Sequence, residues 1–509
     1  MTTATRTEKD PLGTLEVPAD AYYGVQTARA IANFPISGRP PDVALVRAAV
    51  QVKKAAARAN RATGRLPEHL AEAIIAAADE VLGLADWIQT DEGRALQATL
   101  IGNFRVDPFQ AGAGVSHNMN TNEVLANRAI EILHGQGVGS GARGDYSVVN
   151  PNDHVNMAQS TNDVFPTAMR LAALDRVKEL LVALDELGAA FEDRAAAFDE
   201  VLKAGRTHMQ DAVPIRLGQE FAAYALTTRR AREAILRAAD GLAEQNIGAT
   251  AVGTGLNAEP EYISLVIEFL SEQTGYRLRT AESLVQATQS MAPMLAVSAA
   301  LRGLAVDLAK ICEDLLLMSS GPRTGFAEIR LPAKQPGSSI MPGKVNPVMV
   351  ENLSMICYHV IGADTAVAWA ASRGQLELNV MMPLIAHEVL ESLVILANGT
   401  RQFARECVAG IEADTERAAW LLENSSAMAT PLAPYIGYAL AAEIAKQAVA
   451  EGRTIRELVI ERGIFSEAEL AEILDPHELT NPGIAGGMRF EPRLPEGHER
   501  PTGPTGGGG

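Results

Sequence analysis

Apolar residues recur at helical steps along most of this chain. Between residues 167 and 200, Leu174, Val177, Leu181, Leu184 and Phe191 fall three, four or seven apart and predict a long helix with one apolar stripe. Residues 284–318 are mostly Ala, Leu, Val and Met, with charge confined to Arg302, Asp307, Lys310, Glu313 and Asp314. A helix apolar on most of its surface must be covered by several neighbours, so this segment belongs inside a bundle. Residues 350–398 form a third such tract. Helices this long and apolar are hard to cover within one subunit, which predicts a multi-subunit bundle. Strand signals are sparse, near the N-terminus and around Ala249-Thr250-Ala251-Val252. Residues 1–40 are turn-rich, and the chain beyond 412 is more charged and reads as a small helical domain. The expected organisation is an N-terminal domain over 1–155, a central helical bundle over 156–412, a small C-terminal helical domain over 413–493 and a disordered Pro/Gly tail over 494–509.

Composition narrows the functional classes. A chain of 509 residues with 47% hydrophobic and 21% charged residues can bury a large core. Its net charge of −18 argues against nucleic acid or an anionic membrane as a partner, but leaves room for a small anion at a local cationic site. Cys312, Cys357 and Cys407 are too few and scattered for a disulfide framework. With no charge-free apolar run of spanning length and no apolar leader, a cytoplasmic protein is expected.

Four polar islands interrupt the helices. In the first, Gly112 to Glu123, a glycine-rich turn precedes a helix whose N-terminus offers backbone N–H groups to an anion, although taken alone a plain structural turn is the better explanation. In the second, Ser160, Thr161 and Asn162 stand just before an apolar helix. One of the three suffices as an N-cap, so binding of a carboxylate competes with capping. In the third, His208 follows Gly205-Arg206-Thr207 at a break between long helices, either as a general acid or as a structural residue. The fourth is Gly337-Ser-Ser-Ile-Met-Pro-Gly-Lys-Val-Asn-Pro347. Ser338 or Ser339 could act as a base if loop N–H groups and Lys344 stabilise the alkoxide, while Lys344 and Asn346 could instead bind a carboxylate. The islands hold no phosphate-binding glycine motif and no metal-ligand spacing, so chemistry without a cofactor or metal is the default.

These islands, together with Glu8-Lys-Asp-Pro-Leu-Gly, Tyr22-Tyr-Gly-Val-Gln-Thr and Asn481-Pro-Gly-Ile-Ala-Gly, resemble the aspartase/fumarase superfamily, on its aspartase branch, over nearly the whole chain. The resemblance implies a mainly α, three-domain fold and a homotetramer with a central twenty-helix bundle and active sites shared between subunits. It implies a small dicarboxylate substrate and anti elimination of ammonia from L-aspartate to give fumarate. No cofactor would be required, with room for activation by a divalent metal. Ser338 matches the base. Ser160, Thr161 and Ser339 would hold the aci-carboxylate, and Lys344 and Asn346 the α-carboxylate. Asn162, Thr207 and His208 would surround the amino group, with Glu351 matching the acid that pairs with the histidine. Asn150 stands where many fumarases carry a histidine of a second anion site. The departure is Val115, where aspartases usually carry a threonine against the β-carboxylate; Ser116 or His117 would have to compensate. The alternatives are a fumarase or an N-substituted-aspartate lyase on this fold, and a non-catalytic binding homologue. His387 is a further unexpected polar group, read as structural.

Overall fold

Asp42 opens the first long helix: its carboxylate accepts the Ala44 N–H, satisfying a donor that the helix cannot. The computed structural model describes residues 4–498. An antiparallel hairpin, β1 (Thr5–Asp10) and β2 (Gly13–Pro18), precedes α1 (Val25–Asn33), α2 (Val43–Ala62), α3 (Glu68–Leu82), α4 (Asp91–Ile101) and α5 (Val115–Gly135). Next come the 37-residue α6 (Thr161–Ala197), a second hairpin of β3 (Leu202–Thr207) and β4 (Gln210–Arg216), and α7 (Leu217–Ala239). Helices α8 (Pro260–Thr274), α9 (Leu284–Gln289), α10 (Ala292–Met318), α11 (Val348–Ala371) and α12 (Met382–Glu406) follow, then short helices from Thr415 onwards. This is the mainly α fold expected. Of the tail expected over 494–509, residues 499–509 lie outside the described residues.

The chain forms two compact units, one of residues 1–182, 231–306 and 356–398, the other of 183–230, 307–355 and 399–509. The first has a core around Val50, Ile74, Leu125 and Ile130, the second around Leu432, Ile444, Val459 and Phe465, all essentially solvent-free. Burying such side chains contributes roughly 1.5–3 kcal/mol apiece.

The stripe predicted on α6 is present, with Leu174, Val177, Leu184 and Phe191 buried and Leu180 in place of Leu181. Leu187 is buried as well, while Leu181 is only half-buried. Three expectations need correction. Residues 284–318 make two helices, because Ser290 is extended and Pro293, which lacks an N–H, cannot follow on from α9. The tract from 350 likewise divides into α11 and α12, with Ser372–Met381 between them. No strand forms at Ala249–Val252. Asp163 accepts the N–H groups of Gly248 and Thr250, and Thr250 takes a left-handed φ of 57°, so this segment is a turn.

Helix α11 and residues Met382–Gly410 are long and apolar enough to cross a membrane by length and composition alone. Both carry charge, and 44% and 61% of their apolar windows are already buried within the fold. Asp364 of α11 accepts from Ser298 Oγ at 2.7 Å and pairs with Arg302 at 2.8 Å, the contacts of a packed core helix.

Candidate functional site

In the first unit the polar islands gather where α5 and α6 begin. Ala113 (φ 60°) and Gly114 (φ 82°) turn the chain into α5, and a Cβ on Gly114 would sit 2.2 Å from the Phe165 ring. Only glycine allows this approach. The turn leaves Val115 exposed at the head of α5 and buries Ser116 and His117. The His117 ring meets Phe165 edge-on at 6.0 Å, and burial pushes its pKa down to about 4, so it is neutral near pH 7.

Ser160 caps α6. Its Oγ accepts the Asn162 N–H at 3.3 Å, and Asp163 Oδ1 accepts the Ser160 N–H at 2.9 Å. Capping is therefore part of the island's role, and it is Ser160 that performs it. Thr161 Oγ1 accepts from Asn118 Nδ2 at 3.0 Å. Each hydroxyl already accepts a bond inside the protein, so each keeps its own proton to donate outward. Asn162 Nδ2 is tied to the Ala251 carbonyl at 2.7 Å. Asn150 shapes its own turn, since its Oδ1 accepts the Asn152 and Asp153 N–H groups at 2.8 and 3.1 Å.

Beneath these groups lies a buried cation that sequence reasoning missed. Lys53 Nζ donates to Asn156 Oδ1 at 2.8 Å and Gln159 Oε1 at 2.9 Å. Asn118 and Asn122 donate to the same Asn156 oxygen, each at 3.2 Å. Burial lowers the Lys53 pKa to about 7, opposed by the charge of Asp163. Burial in turn raises Asp163 to about 7, against the three N–H groups it accepts. One signal was available: Lys53 shares the helix face of Val46, Val50 and Ala57, all buried. A lysine on an apolar stripe is placed there for a reason.

In the second unit His208 and Met209 form the two-residue tip of the β3–β4 hairpin, with φ of 53° and 60°. Such turns favour Asn-Gly, so two bulky left-handed residues are a strain characteristic of functional sites. Thr207 and His208 are exposed. The hairpin's base is anchored by Glu328, fully buried, which pairs with Arg206 at 3.0 Å and Lys203 at 3.3 Å. Arg206 also stacks on Phe326 at 4.1 Å.

The loop 337–347 is closed at its neck by Asn346 Nδ2, which donates to the Gly337 carbonyl at 2.7 Å. A Cβ on Gly337 would meet the Lys344 carbonyl at 2.2 Å, so the neck requires glycine. Inside the loop, Ser338 Oγ accepts the N–H groups of Ile340 and Met341 at 3.2 and 3.0 Å. Ser339 and Lys344 are exposed, and Glu351 is exposed in the first turn of α11. Among the described residues, no hydrogen bond or ion pair joins Glu351 to His208. The structure thus brings Ser116, Ser160, Thr161 and Asn162 into one unit with Asn150, and Thr207, His208, Ser338, Ser339, Lys344, Asn346 and Glu351 into the other.

Residues 13–362 match the family described as Lyase, and residues 428–481 the one described as Fumarase C C-terminus. The aspartate ammonia-lyase of Bacillus subtilis (strain 168) is 48% identical over 481 residues, covering 94% of this chain and 97% of that protein. The class II fumarate hydratase of Halobacterium salinarum is 47% identical over 483 residues, covering 95% and 98%. Among solved structures, fumarate lyase:delta crystallin from Brucella melitensis bound to cobalt matches with a TM-score of 0.88 at 47% identity, covering 94% of this chain and all of that one.

Proposed function

The chain belongs to the aspartase/fumarase family of lyases, and on that footing we propose that it is an aspartate ammonia-lyase, converting L-aspartate to fumarate and ammonia. The observation that carries an elimination of this kind is the pair of hydroxyls at the head of α6. Ser160 and Thr161 each accept a bond from within, so both present protons to an incoming carboxylate. Lys53, when protonated, adds positive charge below them. Charge that accumulates on a carboxylate as its neighbouring carbon loses a proton is stabilised by donors fixed in advance.

In this reading Ser338 Oγ, as the alkoxide, takes the proton from C3, next to the β-carboxylate. The electron pair moves onto that carboxylate, giving an aci-carboxylate dianion held by Ser160, Thr161 and Ser339. The pair then returns to form the C2–C3 double bond as the C2–N bond breaks. The substrate's ammonium leaves as ammonia. The N–H groups of Ile340 and Met341 lower the cost of the Ser338 alkoxide. Lys344 and Asn346 hold the α-carboxylate, and Asn162, Thr207 and His208, with Glu351, surround the amino group. Ser116 supports the β-carboxylate where Val115 offers no hydroxyl, and Asn150 shapes the surrounding turn. No cofactor enters the reaction. The active unit is a homotetramer whose sites are shared between subunits.

Aspartate is preferred over malate because curated relatives of 46–48% identity carry the aspartate ammonia-lyase name. A second reading, hydration of fumarate to malate, draws on the Halobacterium salinarum relative and on Val115. Following fumarate's ultraviolet absorbance with L-aspartate, L-malate and N-substituted aspartates in parallel decides between them. Turnover of L-aspartate is expected to dominate. Turnover of malate without aspartate would overturn the assignment in favour of the second reading.

A further inference from the structure

Helices α11 and α12 bring together four side chains that the proposed elimination does not use. His387, Glu388 and Glu391 lie on α12, and the i, i+4 spacing turns His387 and Glu391 to one face. Helix α11 supplies His359. His359 Nε2 lies 3.4 Å from Glu391 Oε2, and His387 Nε2 is 3.7 Å from the same oxygen. One donor atom each from His359, Glu388 and Glu391 falls within 4.8 Å of the other two. Arg39 holds Glu391 Oε1 at 2.6 Å, which fixes the carboxylate and leaves Oε2 to face both histidines.

We propose that His359, Glu388 and Glu391, with His387 beside them, bind a first-row divalent transition-metal ion such as Co²⁺ or Zn²⁺. Mixed imidazole and carboxylate donors suit these ions, whereas Mg²⁺ and Ca²⁺ select oxygen cages. A tetrahedral ion with bonds of about 2.1 Å holds its donors about 3.4 Å apart. The His359–Glu391 and His387–Glu391 separations of 3.4 and 3.7 Å already lie close to that value. Charge supports the same assignment. The carboxylates of Glu388 and Glu391 lie together beside the single guanidinium of Arg39 and repel one another. A dication relieves that repulsion. The donors sit on regular helices rather than loops, which holds them in place before an ion arrives. The rival reading is an ion pair between a protonated histidine and Glu391, with no affinity for a metal.

The test uses untagged, full-length protein stripped with a chelator and titrated with Co²⁺, read by visible absorption and by the metal retained after dialysis. About one equivalent per chain is expected, displaced by Zn²⁺ and indifferent to excess Mg²⁺. His359→Ala and Glu388→Gln should each weaken Co²⁺ binding by roughly tenfold or more, with metal-free thermal unfolding unchanged. If either variant fails to fold, His359→Gln, which keeps the side chain's bulk, is read instead. Absence of stoichiometric Co²⁺ binding, or affinities in the folded variants matching wild type, overturns the site. None of these readouts depends on turnover, so they stand or fall apart from the ammonia-lyase assignment.

Discussion

A serine hydroxyl is a poor base for a carbon acid, so in the proposed reaction the surroundings of Ser338 must supply what the side chain lacks. Two backbone N–H groups aimed at its Oγ do part of this, since donors fixed before reaction stabilise the alkoxide without reorganising. Ser338→Ala should lower kcat by roughly a thousandfold or more while leaving the circular dichroism spectrum unchanged. A residual rate of several per cent would assign the base elsewhere. Lys53 acts at one remove, through Asn156, Asn118 and Thr161. Its pKa falls from 10.5 to about 7 on folding because burial disfavours the charged form. Between those values the unfolded chain binds more protons than the folded one, so raising the pH across that window stabilises the fold. Lys53→Met should flatten this rise in the urea midpoint between pH 7 and 10. At roughly 8 Å and an effective dielectric near 20, a unit charge acting on the accumulating carboxylate charge is worth about 2 kcal/mol, so kcat/KM for aspartate should also fall roughly thirtyfold. Parallel pH profiles together with an unchanged kcat/KM would reduce Lys53 to a packing residue.

At the scale of elements, the β3–β4 hairpin shows how a strained tip is kept in place. Glu328 is fully buried between Arg206 and Lys203, and removing one partner of such a cluster leaves buried charge uncompensated, at a cost of about 3–5 kcal/mol. Glu328→Gln should therefore lower the urea midpoint and raise hydrogen exchange first in residues 202–216, with activity falling through loss of His208 placement. Unchanged exchange in the hairpin would show that the tip is held by other contacts. This hairpin also marks a limit of the sequence. The strands lack clean alternation, and Gly205 sits at a register shift between Ala204 and Arg206, so only a break between helices was legible. The Ala249–Val252 strand failed for the converse reason: local β-propensity was overridden by Asp163, a residue 85 positions or more distant in sequence, which captures the turn's N–H groups. The long helices were legible because their 3.6-residue period persists, and Pro293 was a readable cause of the break between α9 and α10. The four islands stood out as polar groups in an apolar chain. Lys53 did not, because its one signal, a place on the apolar face of Val46, Val50 and Ala57, does not say that a buried amide network lies opposite.

For the whole molecule, the distribution of residues is itself an argument. Ser160 and Thr161 belong to one unit of the chain, and Ser338, Lys344, His208 and Glu351 to the other, with Glu351 and His208 unjoined among the described residues. The faces of α11 that carry Met355, Tyr358 and Trp369 are exposed in the single chain at 62%, 54% and 69%. Large apolar side chains in a row on a long helix call for a partner surface. A homotetramer that packs such helices against one another satisfies that requirement and allows sites built from several copies. Under this arrangement an inactive Thr161→Ala chain and an inactive Ser338→Ala chain carry lesions that need not fall in the same site. Denaturing the two together and refolding the mixture should therefore restore fumarate production, because some hybrid assemblies contain a site with both residues intact. Each variant refolded alone should stay inactive, and mixing without denaturation should restore little. If the co-refolded mixture is as inactive as its parents while sedimentation shows mixed tetramers, each site is made by a single chain and the shared-site reading is wrong.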